Sequence, residues 1–225
     1  MTNVAFFDVD GTLTARSTMW SFLEFYLTKA HNRTDLYRAA RRRFDALKEQ
    51  GKPRADLIRA YFCSLADSPG AEVFRLGNDW FQTESRQGSL FHAPVLAELR
   101  AHRASGARTV LVSSAFPAAL APIARNLGVD DVWCTSPEIR NGNYTGRLAA
   151  PPMIGEYKAT AVRLAATSHR ADPSNCTAYG DHVSDVPMLT TVGKAVVVGN
   201  DSTLTRIARG RGWRRLPGPQ PASET

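Results

Sequence analysis

The fold is decided by residues 4–13, which read Val-Ala-Phe-Phe-Asp-Val-Asp-Gly-Thr-Leu. The apolar run at 4–7 is short and uninterrupted, which predicts a fully buried strand that ends at Asp8. The turn-forming pair Asp10-Gly11 follows and prevents the strand from continuing. Two carboxylates are therefore expected at the tip of a buried strand.

The pattern changes to helical spacing between Ser17 and Gln87. Four predicted helices, with Ser, Asp or Pro near their starts, cover residues 17–30, 35–50, 53–66 and 71–86. Strands and helices then alternate. We predict helices at 93–103, 116–127, 156–167, 185–191 and 202–211, strands at 109–113, 131–134, 176–179 and 195–198, and a hairpin at 139–148 around Asn141-Gly142. Strands separated by helices predict a parallel, doubly wound sheet with an all-helical insertion after its first strand.

Polar side chains stand at the carboxyl ends of several predicted strands. In a doubly wound sheet the reactive crevice lies beyond these ends. Asp8 and Asp10 follow the first strand, Ser113 ends the second, and Gly180-Asp181 follows the strand at 176–179. The sequence therefore predicts one site assembled from three strand tips.

The residue types at this site suit phosphoryl transfer. Asp8 is a candidate nucleophile that would form an acyl phosphate. Asp10 is a candidate general acid for the leaving oxygen and general base for the attacking water. Lys158 and the Ser113 hydroxyl are candidates for holding the phosphoryl oxygens in the transition state.

A Mg²⁺ site is predicted beside the nucleophile. Asp181 offers a hard oxygen ligand, and Mg²⁺ is typically held by few carboxylates together with phosphate and water. Asp185, one helical turn further on, is a candidate for holding a metal-bound water or for orienting Lys158.

Each part taken alone also fits a structural role. Asp-x-Asp-Gly-Thr is a common turn after a strand, and the stretch from Gly180 to Asp185 also fits a helix N-terminus with favourable acids. Ser113 would be an N-cap and Lys158 a surface residue. The order and placement of all four segments favour the functional interpretation.

Together these segments resemble the four motifs of the haloacid dehalogenase superfamily. They are Phe7-Asp-Val-Asp-Gly-Thr-Leu13, Val112-Ser113, Lys158 and Gly180-Asp-His-Val-Ser-Asp185. Within the superfamily the chain resembles the phosphoserine-phosphatase-like branch, subfamily IB. The resemblance implies an α/β fold with a doubly wound Rossmann-like parallel sheet core, residues 1–16 and 88–225, and an inserted all-helical cap, residues 17–87.

The resemblance also implies roles for individual residues. Asp8 would be the nucleophile and Asp10 the acid and base. Mg²⁺ would be bound by Asp8, the backbone carbonyl of Asp10 and Asp181, with Asp185 acting through a water.

Two departures separate the chain from phosphoserine phosphatases. The stretch at 15–20, Ala-Arg-Ser-Thr-Met-Trp, lacks the glutamate that helps to hold the substrate amine, and Ser184 stands where the fourth motif has Asn. Phosphoserine is therefore not the favoured substrate. The candidate substrate-binding residues are Ser114, Arg16, Trp20, Arg54 and His182. For the two arginines a surface role, and for Trp20 a place in the apolar core, remain alternatives.

The composition is that of a globular protein, with 43% hydrophobic and 22% charged residues. The net charge is +7, and basic residues gather at Arg38–Arg43 and Arg206–Arg215. We interpret these runs as solvated faces, with attraction of an anionic substrate as the alternative. No aromatic-interleaved platform or nucleic-acid motif accompanies them, so no nucleic-acid partner is expected.

The cysteines and the apolar stretches bear on location. Cys63, Cys134 and Cys176 form no CxxC pair, which indicates reduced thiols in a cytoplasmic protein. Asp8 interrupts the first apolar stretch, which argues against a signal peptide. The apolar stretch Met19–Leu27 is too short to span a bilayer, so no membrane association is expected.

The predicted function is a Mg²⁺-dependent phosphatase that hydrolyses a small phosphomonoester through an aspartyl-phosphate. One alternative is a phosphotransferase or mutase, in which a substrate hydroxyl accepts the phosphoryl group. Another is a basic nucleic-acid-binding protein with a degenerate hydrolase core, which the intact set of Asp8, Asp10, Lys158 and Asp181 argues against. The substrate and the oligomeric state remain open at this point.

Overall fold

The computed structural model describes residues 2–219. In this part of the chain the strands are β1 (Val4–Phe7), β2 (Arg108–Ser113), β3 (Asp131–Cys134), β4 (Pro137–Arg140), β5 (Asn143–Leu148), β6 (Thr177–Gly180), β7 (Lys194–Val198) and β8 (Arg214–Leu216). The α-helices are α1 (Thr18–Glu24), α2 (Thr34–Glu49), α3 (Arg54–Cys63), α4 (Gly70–Arg86), α5 (Ala93–Ala104), α6 (Pro117–Leu127), α7 (Glu156–Ser168), α8 (Val186–Thr190) and α9 (Ser202–Arg211). The predicted core covers residues 1–16 and 88–225, of which residues 1 and 220–225 lie outside the described part.

Six strands form one parallel sheet in the order β3-β2-β1-β6-β7-β8. From β1 at the centre the chain runs outward through β2 to β3, and it then returns to β6 on the other side of β1. The order of the strands therefore reverses beside β1, and the carboxyl ends of β1, β2 and β6 open into one crevice. The predicted fold class, a doubly wound parallel α/β sheet, is confirmed.

The central strand β1 is buried on both faces, as its apolar run predicted. Ala5 and Phe7 pack in the apolar layer that includes α5 and α6. Val4 and Phe6 pack in the opposite layer, which includes α7, α8 and α9. Because both faces are covered by helices, every residue of the strand can be apolar.

The helices α1 to α4 share an apolar core with the first of these layers. Trp80 of α4 is fully buried, and its ring centroid lies 6.2 Å from that of Phe22 in α1. Phe22 in turn lies 5.4 Å from Phe116, which directly precedes α6. The helices thus continue the packing of the sheet without a break, while the division into a core and a cap at residues 17–87 stays a prediction.

The hairpin predicted around Asn141-Gly142 is confirmed. Strands β4 and β5 pair antiparallel across these two residues, which have φ angles of 49° and 83°. Two successive positive φ angles are what a two-residue hairpin turn that matches the strand twist requires.

Two elements differ from the predicted ones. The helix predicted at 17–30 is α-helical only to Glu24 and continues as a π-helix over Phe25–Ala30. Apolar spacing identifies a helical face but does not distinguish these hydrogen-bond patterns. Strand β8 was not predicted, because its residues carry no apolar run. It pairs with β7, and its Arg214 forms an ion pair with Glu98 of α5, so part of the basic run at 206–215 is paired with an acid.

No helix within residues 2–219 is both long enough and apolar enough to cross a membrane.

The contact between α4 and α6 provides a test of this packing. At Gly77 a Cβ atom would overlap the backbone carbonyl of Ala118. Since that backbone lies in a packed helix, we expect Gly77→Ala to lower the free energy of unfolding by about 1–3 kcal/mol. Urea unfolding of the variant and the unmodified protein measures the difference.

Gly210→Ala in α9 is the matched control, because a Cβ atom there would meet nothing within 4 Å. It should raise the free energy of unfolding by up to about 1 kcal/mol, since alanine is the better helix former. A Gly77→Ala protein as stable as the unmodified one would contradict the close crossing of the two helices.

Candidate active site

Three aspartates meet at the carboxyl end of the sheet. Asp8 follows β1, Asp181 follows β6, and Asp185 ends a 3-10 turn that leads into α8. Each offers a carboxylate oxygen, and these atoms lie within 4.8 Å of one another. Asp8 is 5% exposed and Asp185 1%. The predicted convergence of the strand tips of β1 and β6 is therefore present.

Two glycines make room for these carboxylates. Gly11 has a φ of +84°, and a Cβ atom there would overlap the carboxylate of Asp181. At Gly180 a Cβ atom would lie 2.8 Å from the Cβ atom of Asp185. Thr12 donates a hydrogen bond from Oγ1 to Oδ1 of Asp181 over 3.0 Å. The turn after β1 thus positions an acid that follows β6.

Lys158 lies between two of the aspartates. From the first turn of α7 its Nζ donates to Oδ1 of Asp8 over 2.5 Å and to Oδ1 of Asp185 over 2.7 Å. Its side chain is only 4% exposed. The alternative of a surface lysine is therefore wrong, because the side chain is buried among the acids.

The cluster holds more negative charge than Lys158 neutralises. Burial raises the pKa of Asp181 to about 8, and the charges of Asp8 and Asp185 add to the effect. Burial also raises the pKa of Asp8, although Lys158 opposes the change. Burial acts to lower the pKa of Lys158, but the attraction of Asp185 and Asp8 raises it above its usual value. Such an environment favours a bound cation, because a cation would stabilise the ionised carboxylates.

The donor set fits a hard divalent cation. Asp8, Asp181 and Asp185 supply oxygen atoms alone, and the set contains no thiol or imidazole. Mg²⁺ prefers carboxylate oxygens and water, whereas softer metals select sulfur and nitrogen ligands. The residues present therefore suit the predicted Mg²⁺.

Asp10 is held by the start of α1. Its Oδ1 accepts hydrogen bonds from the backbone N–H of Thr18 over 2.8 Å and from the Thr18 hydroxyl over 2.6 Å. Its Oδ2 accepts from the hydroxyl of Ser17, the N-cap residue of the helix, over 2.8 Å. The predicted acid and base is thus oriented by the first helix that follows the motif.

Ser113 and Ser114 occupy different positions at the end of β2. Ser113 is fully buried, and its Oγ accepts a hydrogen bond from the backbone N–H of Ala115 over 3.1 Å. Its hydroxyl hydrogen remains able to donate. Ser114 lines the cavity described next.

A cavity of about 570 Å³ opens between the crevice and the helices α1 to α3. All five residues predicted to bind substrate line it, namely Ser114, Arg16, Trp20, Arg54 and His182. Asp10 and Gly11 also line it, which connects the cavity with the acidic cluster.

Two of the five predicted substrate-binding residues have side-chain hydrogen-bond partners in the protein. Arg16 donates to the buried carboxylate of Glu84 over 2.7 Å. His182 accepts at Nδ1 from the backbone N–H of Ser184 over 3.1 Å, so a neutral ring carries its hydrogen on Nε2. Burial lowers the pKa of His182, and the positive charge of Arg54 lowers it further.

Several lining residues were missed by sequence reasoning. They are Phe44, Lys48, Lys52, Leu57, Ile58 and Tyr61. Helical periodicity placed Lys52 between the second and third predicted helices and the other five residues on them, but it did not indicate that these helices face the crevice. Ser17 and Thr18 could have been linked with Asp10, because a hydroxyl at a helix start is an N-cap signal and an acid lay nearby in sequence.

The model of the haloacid dehalogenase-like hydrolase family matches residues 5–190. A probable phosphatase of Mycobacterium tuberculosis (strain ATCC 25618 / H37Rv) is 32% identical over 222 residues, which are 97% of this chain and 76% of that protein. A phosphoserine phosphatase of the same strain is 32% identical over 219 residues, which are 95% of this chain and 70% of that protein.

The fold agrees with a solved structure over nearly the full length of both chains. A protein of unknown function from Bordetella pertussis Tohama I superposes with a TM-score of 0.83 at 26% identity, over 96% of this chain and 99% of the other. The range matched by the family model contains Asp8, Asp10, Lys158, Asp181 and Asp185. The chain therefore belongs to the haloacid dehalogenase-like hydrolase family.

Proposed function

We propose that the chain is a Mg²⁺-dependent phosphatase that hydrolyses a small phosphomonoester through an aspartyl-phosphate on Asp8. The family and its phosphatase relatives support the class of phosphoric monoester hydrolases. The observation that carries the mechanism is the contact of Lys158 with Asp8 and Asp185 beside Asp181. A carboxylate fixed by hydrogen bonds in this way is preorganised to act as a nucleophile.

In the first half-reaction Asp8 attacks phosphorus. Lys158 holds Oδ1 of Asp8, so the other carboxylate oxygen is the candidate for forming the new bond. As the bond between phosphorus and the ester oxygen breaks, protonated Asp10 gives its proton to the departing oxygen. The products are the free alcohol and a phosphoryl group on Asp8.

In the second half-reaction Asp10 acts as a base. It accepts a proton from a water molecule, whose oxygen attacks phosphorus as the bond to the Asp8 oxygen breaks. Inorganic phosphate leaves, and both aspartates return to their starting states. The hydrogen bonds from Ser17 and Thr18 orient the Asp10 carboxylate for both transfers.

The cluster supplies three candidate metal-binding carboxylates, and the resemblance to the family implies the backbone carbonyl of Asp10 as a further ligand. Asp8, Asp181 and the backbone carbonyl of Asp10 would hold Mg²⁺, with Asp185 acting through a water. The bound ion would offset negative charge on the phosphoryl oxygens. Lys158 serves the same end from the protein side, and the hydroxyls of Ser113 and Ser114 are candidates for donating hydrogen bonds to the phosphoryl group.

The helical segment, residues 17–87, is proposed as a cap over a core made of residues 1–16 and 88–225. It begins beside Asp10 and supplies most of the cavity wall through α1, α2 and α3. A cap in this place would exclude water from the reacting phosphate and select the rest of the substrate.

Metal dependence is tested by activity and by stability together. Phosphate release should be lost in EDTA and restored by Mg²⁺, while Ca²⁺ should restore it poorly because its coordination is larger and looser. Mg²⁺ should also raise the melting temperature, because a ligand at about 100 times its Kd stabilises the folded state by about 2.7 kcal/mol.

Asp181→Asn should abolish this thermal shift. Asp79→Asn, which removes a carboxylate on α4 that pairs with Arg75 outside the cluster, is the control and should retain it. Equal activity and equal melting temperature with and without the metal would rule out the proposed ion.

The two motif aspartates should differ in the step that they affect. With p-nitrophenyl phosphate, whose leaving group needs little help from an acid, Asp10→Asn should still transfer phosphate to Asp8 and then stop for want of a base. Rapid mixing should show a burst of nitrophenol approaching one equivalent, and acid-quenched protein should carry bound phosphate.

Asp8→Asn should show no burst, because the amide is a poor nucleophile. A burst that persists in this variant would mean that another residue is the nucleophile. In the unmodified protein, transfer of the phosphoryl group to an added alcohol, with no inorganic phosphate released from the substrate alone, would indicate a phosphotransferase instead of a hydrolase.

A further inference from the structure

Cationic side chains outnumber carboxylates among the described residues that line the cavity. Four lining residues are cationic, namely Arg16, Lys48, Lys52 and Arg54. Among the described residues, Asp10 supplies the one lining carboxylate, and it already accepts hydrogen bonds from Ser17 and Thr18. A ligand in this cavity therefore meets positive charge away from the acidic cluster.

Three of these cations have no carboxylate partner. Arg16 is paired with Glu84, but among residues 2–219 no acid lies within ion-pair distance of Lys48, Lys52 or Arg54. Lys48, Lys52 and Arg54 all line the cavity. These side chains are available to bind an anionic group of a ligand.

The remaining wall is apolar and aromatic. The ring centroid of Trp20 lies 4.9 Å from that of Phe44 and 5.4 Å from that of Tyr61, both edge-on. The Tyr61 hydroxyl donates to the carbonyl of Met19 over 2.8 Å, so its polar end is satisfied within the protein. Arg41 covers another side of Trp20, with its guanidinium carbon 4.4 Å from the ring centroid. The wall is thus preorganised for an apolar or planar body.

We propose that the cavity takes a phosphomonoester with an apolar or planar body and a second anionic group, and with no ammonium group. The proposal rests on the proposed phosphatase function and specifies its substrate class. The scissile phosphate would lie at the acidic cluster, the body against Trp20 and Tyr61, and the second anion near Arg54, Lys48 and Lys52. An ammonium group would meet cations without a free carboxylate and would be repelled by them.

The size of the cavity agrees with this class. Ligand pockets of about 300–1,000 Å³ enclose most of a small molecule, and about 570 Å³ is available here. A bare phosphate would leave the aromatic wall and the cations without contacts. Phosphoserine would satisfy the cations with its carboxylate but would leave its ammonium group unpaired.

Three aryl phosphates that differ at one position test the proposal in the presence of Mg²⁺. They are 4-carboxyphenyl, 4-carbamoylphenyl and 4-(aminomethyl)phenyl phosphate. We expect kcat/KM of the unmodified protein to be highest for the carboxyl compound and lowest for the aminomethyl compound. For each compound, the ratio of kcat/KM between variant and unmodified protein cancels the differences in reactivity between the leaving groups.

Arg54→Gln and the double variant Lys48→Gln/Lys52→Gln should lower kcat/KM for the carboxyl compound by about tenfold, in line with a lost hydrogen bond between charged groups. For the carbamoyl compound kcat/KM should change by less than about twofold, because its distal group carries no charge. For the aminomethyl compound kcat/KM should rise, because a repelling positive charge has been removed. Arg59→Gln is the matched control. It removes an exposed arginine from the same helix, where its partner is Asp56, and it should leave the order unchanged.

Binding of 4-carboxybenzyl- and 4-(aminomethyl)benzylphosphonate, measured by calorimetry, separates this proposal from the phosphatase function. If no phosphate ester is hydrolysed but the carboxyl phosphonate binds at least tenfold more tightly and loses this advantage in Arg54→Gln, the substrate class stands and the phosphatase function fails. Equal binding of the two phosphonates, or tighter binding of the aminomethyl compound, would overturn the proposed substrate class even in an active phosphatase.

Discussion

The contact of Lys158 with Asp8 and Asp185 is the constraint on which the rest of the site depends. Several carboxylates share a nearly dry corner of the sheet, and isolated buried charges are costly. Lys158 offsets part of that cost, and removing one partner of such a buried set typically costs about 3–5 kcal/mol. Because these residues follow β1, begin α7 and precede α8, the same contact joins three parts of the chain at the point where phosphorus would react.

A second set of contacts connects this corner with the helical segment, residues 17–87. The carboxylate of Asp10 receives its hydrogen bonds from Ser17 and Thr18 at the start of α1. The apolar contacts among Trp80, Phe22 and Phe116 continue from these helices to the layer over the sheet. A change in the position of α1 would therefore move the carboxylate of Asp10, which is proposed to transfer protons.

The site separates its charges along the cavity. Carboxylates lie at the strand tips, where they suit a cation beside a reacting phosphoryl group. Lysine and arginine side chains lie on the side of the cavity that the helices form. Part of the excess positive charge of the chain is therefore located around the cavity. A basic rim raises the concentration of anionic ligands near the crevice, while aromatic walls select among them by shape.

The parallel sheet, the run of helices after its first strand and the meeting of Asp8 with Asp181 could be predicted from the sequence, because they depend on local patterns. An apolar run ended by a turn marks a strand tip, and parallel strands bring their carboxyl ends to one edge. Only the tertiary structure decided that Phe44, Lys48 and Tyr61 form part of the cavity wall. The same holds for the added edge strand β8, whose Arg214 pairs with Glu98. The cavity wall depends on how α2 and α3 cross the crevice, and the ion pair of Arg214 depends on Glu98, which is far away in the chain. Helical periodicity indicates which face of a helix is buried, but it does not indicate which element packs against that face.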